Sequence, residues 1–174
     1  ARVVAADLTF AMLPRARGRG IDRAVCADAL QLPFADRVFD CVFVGYGLRN
    51  FPVLPTALAE IARVTRPGGS LVTLDFFLPS NPLWRRLYLG YLYAQGAFWG
   101  AVLHGRTRTY TYIPDSLRSF LTVEQLTAAL GCAGYASVAA RSFLFGGIAV
   151  HRAVISPDCR PHRSGGSHPG RVHE

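Results

Sequence analysis

Two carboxylates stand where short apolar runs stop: "RVVAAD" ends on Asp7 and "RAVCAD" ends on Asp28. In a doubly wound sheet, ligands bind outside the carboxyl ends of the strands. An acid at such an end can accept both hydroxyls of a ribose. A local role competes with this one, because Asp7 stands just before the short helix expected from Thr9 and can cap it. Asp28, followed by "ALQLPF", has the same two options, a cap or a contact to an adenine. Arg49 is the only cation in "CVFVGYGLRNF" and, by residue type alone, reads as half of a surface ion pair.

Metal and thiol chemistry find little support. Cys26, Cys41, Cys132 and Cys159 form no C-x-x-C pair, which speaks against a zinc site or a redox motif. Cys26 and Cys41 lie in apolar runs and are expected to be buried, reduced thiols. Of the five histidines, His104 reads as an exposed loop residue, with a base near the pocket as the alternative, and none has ligand spacing, so no metal is expected.

The elements that must position these residues alternate. Strands are expected over residues 2–7, 23–28 and 41–47, with a loop at "LPFADRVFD". "LPTALAEIARVTR" sets Leu54, Leu58, Ile61 and Val64 near helical spacing. Arg66-Pro67-Gly68-Gly69 then stops the helix, and residues 70–76 form an apolar run that reads as a strand buried on both faces. Helix, Pro-Gly-Gly and buried strand make the second half of a βαβ unit. A helix is expected over residues 80–100, a polar loop over 106–119, and a helix capped by Thr122 and closed near Gly131 or Gly134. Two strands around Gly146-Gly147 read as a hairpin. Residues 1–155 are taken as one domain, and residues 156–174, rich in Pro, Gly, Ser, His and Arg, as a disordered tail.

At 174 residues the chain has room for one proper core, and 51% hydrophobic content fits a globular domain. The formal net charge of +8 comes entirely from arginine, since the chain has no lysine. Such a surface favours nucleic acid or acidic lipid headgroups. No helix-turn-helix, RNA-binding aromatic pair or zinc-finger spacing is present, so nucleic acid is not expected. The most apolar stretch, residues 83–103, is broken by Arg85, Arg86, Gln95 and three glycines, too polar at its start for a spanning helix. It reads as an amphipathic helix that touches a membrane or lines a greasy pocket. Leu87, Tyr91 and Tyr93 or Phe98 are expected on its apolar face, with Arg85 and Arg86 at the interfacial end. With no signal-type leader in this stretch and no paired cysteines, the expected place is the cytoplasm, with peripheral contact at the inner face of a membrane.

Taken together, "DALQLPFADRVFDCVFVGYGLRNF", "RVTRPGGSLVTLDF", "YTYIPDS" and "GGIAVHR" resemble the S-adenosylmethionine-dependent C-methyltransferases of ubiquinone and menaquinone biosynthesis. The "LPF…FD" and "RPGGSL" elements are shared widely among class I methyltransferases; the order of all four segments is far more specific. The resemblance implies a Rossmann-like α/β fold, its sheet mostly parallel with an antiparallel carboxy-terminal hairpin. It also implies S-adenosyl-L-methionine as methyl donor and a demethylated prenyl quinol, benzo- or naphtho-, as substrate. By this resemblance Asp7 holds the ribose, Asp28 and Ala29 flank the adenine, and Gly45 lies beside the methionine part. Arg49 and Tyr112 are the catalytic candidates, and Tyr110 and Asn50 contact the quinol. The family's glutamate at the end of the Pro-Gly-Gly strand is Asp75 here. A methyltransferase for small aromatics, and a non-catalytic piece that docks on a membrane or partner, are the alternatives; binding of the methyl donor and product analysis separate them.

The same resemblance places a first strand and its glycine-rich loop ahead of Ala1. The chain is therefore expected to be an amino-terminally truncated methyltransferase that binds the donor weakly or not at all. Without that strand, a two-strand piece should either stand apart from the rest of the sheet or close onto it.

Overall fold

The computed structural model describes residues 2–104, 112–118 and 120–157. The chain runs β1 (Val4–Asp7), a 3₁₀ turn, α1 (Leu13–Arg17), β2 (Arg23–Cys26), β3 (Phe39–Gly45), a 3₁₀ turn at Leu48–Asn50 and α2 (Leu54–Val64). There follow β4 (Thr65–Phe76), α3 (Pro82–His104), α4 (Tyr112–Arg118), α5 (Val123–Cys132), β5 (Tyr135–Phe143), a 3₁₀ turn at Leu144–Gly146 and β6 (Ile148–Ile155).

The strands form two sheets. β1 and β2 pair in parallel, with Asp7 opposite Cys26, and β3, β4, β6 and β5 form a second sheet in that order. Within the second sheet β3 and β4 are parallel and β6 is antiparallel to both β4 and β5, so β6 alone runs against its neighbours. The separated two-strand piece is thus the arrangement seen, and no ladder joins β1 to β3. The loop after β2 bridges the parting through Arg63 of α2. This guanidinium bonds Glu60 at 2.7 and 2.8 Å, Asp36 at 2.6 Å, and the carbonyls of Phe34 and Leu32 at 2.9 and 3.1 Å. The Glu60 carboxylate also accepts the Leu32 amide at 2.8 Å, and Arg63 holds its pKa below the usual carboxylate range.

The core lies on one face of the four-stranded sheet. Leu71, Thr73 and Asp75 of β4 alternate inward and pair with Ala153, His151 and Ala149 of β6 on the same face. The buried side of α2 (Ala57, Leu58, Ile61, Val64) and Leu126 and Leu130 of α5 complete this side. Thr122 caps α5 in a reciprocal box with Gln125. The other face is less covered: Val72 and Leu74 are half-buried, and Phe43 of β3 is 65% exposed. The expectation of strands buried on both faces is corrected accordingly. For the same reason Cys26 and Cys41 are exposed free thiols rather than buried ones. Each sits on a strand with a single neighbour.

Helix α2 ends at Val64, where the Thr65 hydroxyl donates to the Ile61 carbonyl at 2.6 Å. The Pro-Gly-Gly segment bulges out between the pairs Phe39–Thr65 and Cys41–Ser70. Gly68 has φ +75°, and a Cβ on Gly69 would lie 2.8 Å from the Arg66 carbonyl and 3.0 Å from that of Asp40, so both positions need glycine. Residues 112–118, expected in a loop, form α4; the Tyr93 hydroxyl of α3 donates to Asp115 at its start, and Arg118 lies over the Tyr93 ring. α3 is anchored by Tyr88, which donates to the Gly147 carbonyl at 2.9 Å and whose pKa burial pushes up to about 12. No described helix is long and apolar enough to cross a membrane.

Candidate active site

The segment "GYGLRNF" turns sharply off the carboxyl end of β3. Tyr46 adopts a left-handed φ of 55°, its amide donates to the Leu74 carbonyl at 2.7 Å, and the chain then winds into the 3₁₀ turn at Leu48–Asn50. A non-glycine residue in this region stores strain, which neighbours must hold in place. The holding group is Asp75, fully buried near the end of β4. Its carboxylate accepts the Leu48 amide at 3.0 Å, the Phe76 amide at 2.8 Å and Nη1 of Arg49 at 2.5 Å. The Arg49 side chain is only 7% exposed and also lies over the Phe76 ring, 5.4 Å from its centroid.

Arg49 is therefore not half of a surface ion pair. A buried charge inside an apolar run, as Asp75 is in "LVTLDFF", demands a buried partner, and that was the signal in the sequence that could have found this pair. Asp75 engages one of the five guanidinium N–H donors, and the buried Nε has no partner in the described structure. Arg49 lines a cleft of about 290 Å³ together with Leu48, Phe51, Leu54, Ser116 and Phe120. The cleft thus joins the "GLRNF" segment to α4, whose sequence lies in "YTYIPDS". Ser116 and Phe120 are site residues that sequence reasoning missed, because the residues around them read as a loop. Asn50 is exposed and is not among the cleft's lining. Tyr110 lies outside the described residues, and Tyr112 is described only as the first residue of α4.

The other candidates lie at strand ends. Asp7 Oδ1 accepts the Thr9 amide at 2.7 Å and Asp28 Oδ1 accepts the Leu30 amide at 2.9 Å, so each acid does make the local turn bond. In each, Oδ2 has no bond to the described residues, at the carboxyl end of a parallel strand. Ala29 is half-buried beside Asp28, and Gly45 is exposed at the end of β3. As residue types these fit a nucleoside: two carboxylate acceptors for hydroxyl or amine donors, and a side-chain-free strand end. The structure places Asp7, Asp28 and Ala29 with the two-strand sheet and Gly45 with the other, and none of them lines the Arg49 cleft. No group of three metal-ligating side chains occurs among the described residues.

Residues 1–155 match the model of the ubiE/COQ5 methyltransferase family. The chain belongs to that family. It is 37% identical over 151 residues to the demethylmenaquinone methyltransferase of Mycolicibacterium vanbaalenii, covering 87% of this chain and 66% of that protein. It is 36% identical over 160 residues to the ubiquinone/menaquinone biosynthesis C-methyltransferase UbiE of Pseudomonas putida, covering 88% of this chain and 62% of the relative. The chain thus spans just under two thirds of the length of these relatives. Among solved structures it is similar to a SAM-dependent methyltransferase, possible histamine N-methyltransferase, of Thermotoga maritima. There the TM-score is 0.63 at 18% identity, over 87% of this chain and 72% of the other. That likeness shows the fold: the α/β sheet of the class I methyltransferases. In the ubiE/COQ5 family context, the four sequence segments that carried the resemblance meet in space only in part, with "GLRNF", the end of "RVTRPGGSLVTLDF" and "YIPDS" around one cleft.

Proposed function

We propose that this member of the ubiE/COQ5 family methylates a ring carbon of a demethylated prenyl quinol with S-adenosyl-L-methionine. The observation that carries the reading is the Arg49 cleft: a buried guanidinium, fixed by Asp75, with an unpartnered Nε. A ring carbon becomes nucleophilic when the neighbouring phenol gives up its proton. A phenol has a pKa of about 10, so a site working near neutral pH must stabilise the phenolate. A permanently charged, preorganised arginine does this without reorganising during the reaction. Asp75 holds the donor fork in place, and Phe51, Leu54 and Phe120 keep the site apolar and strengthen its electrostatics.

The donor supplies a methyl group already activated on a sulfonium. Asp7 accepts the ribose hydroxyls through its free oxygen, Asp28 and Ala29 flank the adenine, and Gly45 leaves room beside the methionine part. Tyr110 and Tyr112 wall the quinol pocket, and Asn50 contacts the quinol from the turn that carries Arg49. Peripheral contact with a membrane belongs to the same reading, because a prenylated quinol resides in lipid. The test is Arg49→Ala in a chain extended to the full length of its family relatives, assayed with demethylated quinols and analysed for the methylated product. Turnover is expected to fall by roughly 10²–10³ while donor affinity stays near normal. A variant with normal turnover but weakened donor binding would overturn the assignment.

A further inference from the structure

Apart from the cleft, the open sheet face around Phe43 and the exposed Leu8 and Phe10 near the first strand, the described surface carries an apolar region on α3 and the β5–β6 hairpin. On α3, Leu83, Leu87, Tyr91 and Phe98 lie along one side, all exposed, with Leu83 at 69%. Steps of four, four and seven residues keep them within one stripe of the helix. Tyr93, the alternative candidate for this face, is half-buried and turned to α4. Beside the start of α3 stands the tip of the β5–β6 hairpin. Leu144 and Phe145 both adopt left-handed backbone, φ 49° and 53°, and Phe145 is 83% exposed. Two successive bulky residues in that conformation are costly, yet their side chains are held out in solvent rather than packed. The tip is fastened to α3: the Trp84 indole donates to the Leu144 carbonyl at 3.3 Å, and its ring meets the Phe145 ring edge-on at 5.1 Å. Stripe and tip therefore form one surface.

Its charge selects the partner. There is no Asp or Glu in residues 76–114 or 131–157. Exposed Arg86 sits within the start of the stripe, and Arg141 lies over the Phe143 ring at the base of the tip. The acids that adjoin it are already engaged, Asp115 by the Tyr93 hydroxyl and Glu124 by that of Ser80, so a second copy of the chain would set these arginines against like charge. An anionic lipid surface offers phosphates at the level of the arginines and an apolar layer beneath. The topology also aligns this surface with the cleft. Phe76 pairs with Ile148 and Ile148 with Phe143, so the tip lies at the end of the sheet that carries Asp75 and Arg49.

We propose that the hairpin tip and the α3 stripe dock the protein on an anionic bilayer. Leu144, Phe145, Leu83 and Leu87 enter the headgroup–acyl boundary, and Arg86 and Arg141 bind lipid phosphates. This deepens the quinol reading by bringing the cleft end of the sheet to the lipid, and its test uses neither quinol nor methyl donor, so each can fail alone. The protein is sedimented with phosphatidylcholine vesicles with and without phosphatidylglycerol, at low and high salt, and compared with Leu144→Asn/Phe145→Asn. Asparagine tolerates the left-handed backbone, so the variant keeps its fold and its denaturation midpoint. Binding is expected only with phosphatidylglycerol, weakening with salt, and falling roughly a hundredfold in the variant. Both tryptophans, Trp84 and Trp99, lie on α3, so quenching of their fluorescence by brominated lipid reports insertion directly. Wild-type protein that stays in the supernatant with anionic vesicles, or a variant that sediments like wild type, overturns the proposal. A dimer dissolved by the same substitutions also overturns it, assigning the face to a second copy.

Discussion

Replacing Asp75 by alanine removes the acceptor on which the Arg49 turn is built. Three donors converge on that carboxylate at 2.5, 2.8 and 3.0 Å, from Arg49, Phe76 and Leu48. Stripping a buried guanidinium of its counter-charge costs about 3–5 kcal/mol. Each orphaned amide adds about 1–3 kcal/mol where no water replaces the lost acceptor. Relaxation of the 3₁₀ turn offsets part of this, so the expected loss is about 5 kcal/mol. Arg49→Ala alone leaves the carboxylate with its two amide donors and should cost less, about 1–3 kcal/mol. The double variant contains neither charge and should be more stable than Asp75→Ala by about 2 kcal/mol. The assay is equilibrium denaturation in urea of all four proteins, with coincidence of fluorescence and circular dichroism checked first. Losses that add, with the double variant as unstable as the sum of the singles, would refute the idea that Asp75 exists to hold Arg49.

Other expectations follow from particular residues. His151 is fully buried between Phe77 and the Val123 carbonyl, and burial lowers its pKa from 6.5. The unfolded chain then binds the proton more readily, so its contribution is present above pH 6.5 and is lost as the pH falls through the lowered folded value. His151→Leu should flatten this part of the stability–pH curve, and an unchanged acid limb would assign the sensitivity elsewhere. Gly69→Ala places a Cβ within 3.0 Å of two carbonyls and should destabilise by about 1–3 kcal/mol; a thermal midpoint equal to wild type would contradict the close approach. Because Asp7 and Gly45 lie on unjoined sheets, the donor site we propose for them lacks preorganisation in the 174-residue chain. Calorimetry is expected to show weak S-adenosylmethionine binding or none, and a micromolar dissociation constant would mean that the described residues suffice.

Local patterns in the sequence set the succession of elements. The spacing of Leu58, Ile61 and Val64 made α2, and the Thr122 to Gln125 spacing capped α5. Pro67-Gly68-Gly69 forced the chain to bulge within β4, because only glycine fits that approach. These signals are short-range: each needs only neighbours within a turn or two, so one sequence suffices to read them. The family was legible for a related reason, since its segments are contiguous and ordered. The fold alone decided which distant residues meet. Asp75 lies 26 residues beyond Arg49, and the pair became a buried unit because β3 and β4 run in parallel and end side by side. Ser116 and Phe120 joined them only when α4, read as loop from its polar residues, docked on Tyr93. The exposure of Cys26, Cys41 and Phe43 was likewise a tertiary outcome: an apolar strand is buried on both faces only if something covers both. Periodicity specifies a face that seeks cover. Whether helix, strand or lipid supplies that cover depends on long-range closure, and no local pattern encodes it.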